Sequence, residues 1–191
     1  ADARKAALAD QIFYRKSGGG VTLSGGEVTT QPEFALALLE ALQIEGVHTA
    51  IETCGACSLQ TMLRFLPLTD LFLYDVKLMD PARHRSYTGG DNEQILQNLR
   101  ELGARRANLI IRVPLIPGVN DCTAHFEGIA RLASSLDAID HVELMAYHTM
   151  GESKKGQLGR ADSFRAEIPE QEQKQQWLSQ LRALGCDARL G

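Results

Sequence analysis

The chain has 191 residues, 44% of them hydrophobic and 23% charged, with a formal net charge of −4. That length supports one well-buried domain, and an acidic balance without a basic stripe excludes nucleic acid as an obligatory partner. The longest apolar runs, such as LIIRVPLIPGV, are too short to span a membrane and are broken by Arg112 and prolines.

The opening ADARKAALADQ is charged and alanine-rich, which suits a helix and not a signal peptide. SGGGVTLSGGE (17–27) follows, with glycines on both sides of a short strand, VTLS at 21–24. Glycine is costly inside regular structure, so either the turns need positive φ or something approaches the backbone too closely for a Cβ. Pro32 then occupies a first helical position, and Phe34, Leu38, Leu39 and Leu42 form a stripe that Gly46 stops. HTAIET (48–53) and LFLYDV (71–76) read as strands, and Asp80 before Pro81 is an N-cap signal. Asp91 is expected to open a helix carrying Ile95, Leu99 and Leu102, with Gly103 just past its end. NLIIRVPL (108–115) and HVELMAY (141–147) are further strands, Pro169 opens a last helix that Gly185 closes, and CDARL (186–190) offers a sixth strand.

Strands alternating with helices indicate a single α/β domain over 1–191 with a parallel sheet. The strands are nearly continuous in apolar residues, as expected for strands covered on both faces. Each is apolar until its C-terminal end, where Glu27, Glu52, Asp75, Lys77, Arg112 or His148 stands. That edge carries the chemistry of parallel α/β folds and favours a barrel or part-barrel.

Asp75 and Lys77 lie two apart and leave one face of a strand, where they suit a zwitterionic ligand or a structural ion pair equally. Glu52 suits a ribose diol or a capping role. Arg112, inside an apolar strand, must be paired, by a ligand carboxylate or by an acid on a neighbouring strand. His148 is a lone histidine before a glycine loop, and the Lys154–Lys155 pair and EIPEQEQKQQ read as solvated surface. Four cysteines are too few for a disulfide scaffold and point to a reducing, cytoplasmic setting. Cys54 and Cys57 form a CxxC that lacks a second close pair for zinc.

Six segments in order, FYRKSGGGVTLSGGE, GVHTAIETCG, DLFLYDVKLMD, YTGGDNEQILQNL, IIRVPLIPGVND and YHTMGESKKGQLG, resemble the radical S-adenosylmethionine (SAM) glycyl-radical-enzyme activating family, of the pyruvate formate-lyase activating enzyme type. The resemblance implies a partial (βα)6 TIM-like barrel, here lacking its first βα unit. It implies that SAM is cleaved reductively by a [4Fe–4S] cluster and that the resulting 5′-deoxyadenosyl radical takes a hydrogen atom from a glycine of a partner glycyl radical enzyme. It also implies an electron donor such as flavodoxin or ferredoxin. Carried over by position, Gly25, Gly26 and Glu27 match the GGE motif that holds the methionine amino group. Glu52 matches the ribose acid. Asp75, Val76 and Lys77 match the D-x-K element, with Lys77 and His148 near the methionine carboxylate and ribose, and Arg112 lines the same site.

The chain departs from the family in having no C-x-x-x-C-x-x-C triplet for the cluster. The expectation is therefore the C-terminal portion of a longer enzyme, able to hold SAM but catalytically incomplete, with the cluster confined to the full-length parent. Val28, Ala146 and Lys155 replace the family's more usual residues and leave the partner unnamed. Two other readings stay open: a domain that only docks a partner protein, and a CxxC redox domain with a low-pKa thiol at Cys54 or Cys57. Exposed strand edges also leave room for a homodimer.

Overall fold

The computed structural model describes residues 2–148 and 166–191. Six strands, β1 (Gly20–Leu23), β2 (His48–Thr53), β3 (Leu71–Asp75), β4 (Leu109–Leu115), β5 (Ile139–Ala146) and β6 (Ala188–Leu190), form one all-parallel sheet. Their spatial order is their chain order, β1-β2-β3-β4-β5-β6. The helices are α1 (Asp2–Leu8), α2 (Gln11–Ser17), α3 (Pro32–Ile44), α4 (Leu59–Phe65), α5 (Pro81–Thr88), α6 (Glu93–Ala104), α7 (Thr123–Ser134) and α8 (Gln171–Ala183).

Right-handed crossovers that always step in the same direction leave their helices on one face of a sheet. Burial follows that rule. Phe72 and Tyr74 on β3, and Leu109, Ile111, Val113 and Leu115 on β4, are buried, while the residues between them are only half-buried. Both faces were expected to be covered, from the apolar runs. Only one is, and Leu73 and Ile110 line the more open face beside the polar strand ends. One continuous apolar cluster runs from Leu23 to Ala188.

Every strand expected from the sequence is present, with ends shifted by two residues at most. The N-terminal run divides into two helices, the second closed by Gly18 in the left-handed region at φ 70°. Helix α4 carries a Ser58 cap, whose side chain accepts from the Thr61 N–H. Helix α6 differs most from expectation. Its N-cap is Asn92, not Asp91, and it runs through Gly103 to Ala104. A Cβ at Gly103 would lie 2.7 Å from Leu136 Cδ2, so this glycine admits the close approach of a neighbour and does not end the helix.

The glycines around β1 answer to two different needs. A Cβ at Gly20 would lie 1.9 Å from the His48 carbonyl oxygen, so Gly20 lets β2 pair closely. Gly25 has φ 128°, a backbone conformation that L side chains rarely adopt, whereas Gly26 faces open space.

Candidate functional site

The more open face of the sheet gathers its charges into one row at the C-terminal edge. Register places Asp75 beside Arg112, and Arg112 beside Glu143. The Arg112 guanidinium pairs with Glu52 at 2.8 Å (Nη1 to Oε1) and lies 3.4 Å from Glu143 (Nε to Oε2). Arg112 Nε is buried and makes no hydrogen bond among the described residues, because its approach to Glu143 has ion-pair distance without hydrogen-bond geometry. Of the two partners open to Arg112 from sequence, an acid on a neighbouring strand is found in Glu143 on β5, and Glu52 reaches it from β2, two strands away. Glu143 was not among the candidates. Its signal was available, as a lone acid within the apolar run HVELMAY.

Asp75 stands apart in this row. Its carboxylate makes no hydrogen bond or ion pair among the described residues. Burial pushes its pKa up to about 6, with Glu52 and Glu27 adding to the rise and Arg112 and Lys77 opposing it. Lys77, two residues on, lines a cavity of about 210 Å³ together with Asp75, Cys54 and Asp91. The lysine makes no ion pair among the described residues, although Asn120 anchors its main chain by donating to the Lys77 carbonyl at 2.8 Å. Val76 between them is fully buried, and its N–H donates to the Arg112 carbonyl. Its side chain is therefore closed to a ligand.

Glu27 looks alike in sequence and behaves differently. Its Oε1 accepts from Thr29 N–H at 3.1 Å, Thr29 hydroxyl at 2.8 Å and Thr53 hydroxyl at 2.6 Å, and its Oε2 accepts from Cys54 N–H at 2.9 Å. Burial raises its pKa, but hydrogen bonds from Thr53, Cys54 and Thr29 outweigh that and leave it below the usual carboxylate value. The Glu27 side chain thus ties the β1 loop to the end of β2. Gly25 and Gly26 line a separate cavity of about 360 Å³ on the β1 side.

The CGAC loop is held from below. The amide of buried Asn98 donates to the carbonyls of Gly55 and Cys57, and a Cβ at Gly55 would lie 1.7 Å from the Tyr74 hydroxyl. Burial raises the thiol pKa at both Cys54 and Cys57, the opposite of an activated thiol. His148 is exposed, two residues beyond β5, and the whole GESKKGQLG run, with the Lys154–Lys155 pair, lies outside the described residues.

Residues 5–133 match the radical SAM superfamily. The chain belongs to that superfamily. It is 46% identical over 153 residues to the choline trimethylamine-lyase activating enzyme of Oleidesulfovibrio alaskensis, covering 78% of this chain and 49% of the relative. It is 40% identical over 160 residues to the benzylsuccinate synthase activating enzyme of Thauera aromatica, covering 83% and 48%. The chain thus spans about half the length of the curated relatives it matches. A crystal structure of a domain of pyruvate-formate lyase-activating enzyme from Bacteroides vulgatus superposes with a TM-score of 0.76 at 29% identity, covering 91% of this chain and 99% of that domain. The partial radical SAM barrel expected from the sequence is therefore the fold observed.

Radical SAM proteins use SAM and a [4Fe–4S] cluster. The Asp75 carboxylate and the Lys77 ammonium, neither of them ion-paired among the described residues, have the charges that complement the ammonium and carboxylate of SAM. The cluster finds no such fit: among the described residues no three His, Cys, Asp or Glu side chains converge as a metal site. Among the same residues no helix is long and apolar enough to cross a membrane.

Proposed function

We propose that this chain is the SAM-binding core of a glycyl-radical-enzyme activating enzyme. The observation that carries this reading is the Asp75–Lys77 pair. Opposite charges share one cavity at the strand ends, and neither is neutralised by an ion pair among the described residues. A zwitterion neutralises both at once. The ligand's ammonium favours ionised Asp75 and brings its pKa down, while Lys77 Nζ donates to the ligand carboxylate. A Cβ at Gly25 or Gly26 would meet nothing within 4 Å, so a ligand that reaches across from the Asp75–Lys77 cavity has room to place its amino group against their main chain. Glu52 accepts from the ribose hydroxyls with Arg112 holding its orientation, His148 flanks the ribose, and Val76 contributes through its main chain.

Bound SAM is, in this family, the precursor of the organic radical that takes a hydrogen atom from a partner's glycine, with the electron delivered through a [4Fe–4S] cluster. The partner is then a glycyl radical enzyme presenting its glycyl loop, served by a flavodoxin or ferredoxin in the cytoplasm. The outer strands β1 and β6 are the edges through which a homodimer would form.

Anaerobic calorimetric titration with SAM tests the reading. The wild-type chain binds SAM, and Lys77→Ala weakens binding about tenfold or more while leaving the fold intact, the loss expected for one charge-assisted hydrogen bond. A folded wild-type chain that does not bind, or a Lys77→Ala variant that binds equally well, overturns SAM binding by this pair and favours a role in protein docking alone.

A further inference from the structure

The largest cavity described here lies away from all the residues above. It measures about 460 Å³ and is lined by residues of α5, α6 and α7 in the helical layer, a volume in the range of small-molecule sites. Its chemistry is one-sided. Arg83, Arg100 and Arg131 line it. Arg131 is shared with Glu127 at 3.6 Å, and Arg83 also donates to the Val119 carbonyl, whereas Arg100 makes no ion pair among the described residues. Asp80 is the one acid on the wall, and its Oδ1 is already engaged in accepting from the Arg83 N–H at 2.8 Å as the cap of α5.

His125 supplies the deciding feature. It is 4% exposed and lines the same cavity. Its Nδ1 lies 3.3 Å from the Met79 N–H and accepts from it, which leaves the proton of a neutral ring on Nε2. The ring is neutral at physiological pH, because burial, reinforced by the nearby Arg83, lowers its pKa to about 4. Nε2–H is therefore a buried donor, and among the described residues nothing accepts from it. Leaving such a donor unmet costs about 1–3 kcal/mol unless something accepts from it.

The same end of the cavity holds the N-terminus of α7. Its N-cap is Cys122, which makes no side-chain capping bond, and both Cys122 and Ala124 line the cavity. The first N–H groups of a helix that lack a side-chain cap, together with the helix dipole, favour an anion. An orphan imidazole donor, guanidinium groups and a helix N-terminus thus converge on one space.

From this convergence we infer a second binding site on the molecule, for a phosphate-type oxyanion, either free or as a monoester. The oxyanion accepts from His125 Nε2–H and from the N–H groups opening α7, and Arg83 and Arg100 neutralise it. The site is independent of SAM binding: Lys77 faces the other cavity, and only the chain just beyond it, Leu78 and Met79, reaches this wall.

The test is a ¹H–¹⁵N NMR titration with inorganic phosphate, and in a second arm with ribose 5-phosphate, against sodium chloride at matched ionic strength. Saturable shifts of the His125 Nε2 signal and of the Thr123 and Ala124 amides are expected with phosphate or its ester and not with chloride. Whichever arm binds tighter identifies the source of the oxyanion. His125→Asn, whose Oδ1 can still accept from Met79 N–H, is expected to lose about tenfold in affinity. Arg100→Gln, at an exposed position of α6, is expected to lose about threefold. Equal shifts with chloride, shifts confined to surface arginines, or full affinity in a folded Arg100→Gln together with His125→Asn would overturn the site and leave the buried His125 donor as a purely structural feature.

Discussion

Asp75 ends β3 and Glu27 stands in the loop that follows β1, and the sequence presents these two acids alike. The structure separates them. Glu27 receives four hydrogen bonds from Thr29, Thr53 and Cys54 and is held below its usual pKa. Asp75 receives none among the described residues and is pushed up to about 6. An acid whose lone pairs are consumed by its own chain is a strut. A half-buried acid whose lone pairs are free, beside an unpaired lysine, is a place for a cation. The number of internal donors, not position at the strand end, tells the two apart.

Removing each acid sharpens the contrast. Glu27→Ala leaves the N–H groups of Thr29 and Cys54 and two hydroxyls without their acceptor, so unfolding in urea should show a loss of about 3 kcal/mol. Asp75→Asn should do the reverse and raise stability at pH 7 by about 2 kcal/mol while abolishing SAM binding. A loss of stability in that variant would mean that Asp75 is a strut as well.

The two acids also tilt the pH dependence in opposite senses. Asp75 has a folded pKa raised from 3.8 to about 6, so the native state binds the extra proton between those values. Its favourable contribution is complete at low pH and is lost as pH rises through about 6. Glu27 has a folded pKa lowered from 4.5, so its contribution is present above that value and is lost as pH falls through the folded pKa. Urea midpoints between pH 4 and pH 7 should therefore gain a more positive slope with pH in Asp75→Asn than in wild type. An unchanged slope would break the comparison.

The smallest effects lie in the glycines beside Glu27. Gly25→Ala should cost about 1 kcal/mol, since Gly25 has φ 128°. Gly26→Ala should change stability by less than about 0.5 kcal/mol, because nothing lies within 4 Å of the added carbon. Thermal unfolding of the pair separates backbone strain from space left open for a ligand, and a reduced SAM affinity in Gly26→Ala alone would assign that space to the ligand.

Much of this was legible before any coordinate was known. Strand positions follow from β-branched apolar runs between glycines and prolines, and HTAIET matches β2 at both ends. The polar edge was legible too, because lone charges interrupt apolar strands only where something receives them. The identity of the receiver was not. Arg112 required a partner, and only the folded sheet shows that Glu143 on the adjacent strand and Glu52 from two strands away supply it. Gly103 read as a helix stop, because a glycine that admits a neighbouring side chain and one that ends a helix are the same letter. His125 gave no signal at all, since a histidine in a helix is ordinary until its Nε2 is found buried without a partner among the described residues.

The sequence by itself determined the alternation of strands and helices, the parallel sheet and the row of charges at one edge, because these depend on local propensity and on a period of two along each strand. Tertiary structure alone decided which face of the sheet the helices cover, which acids are consumed as struts, and which charged or polar groups are left over. Those outcomes depend on register between strands far apart in the chain, and on how many donors and acceptors packing brings within about 3 Å of one another.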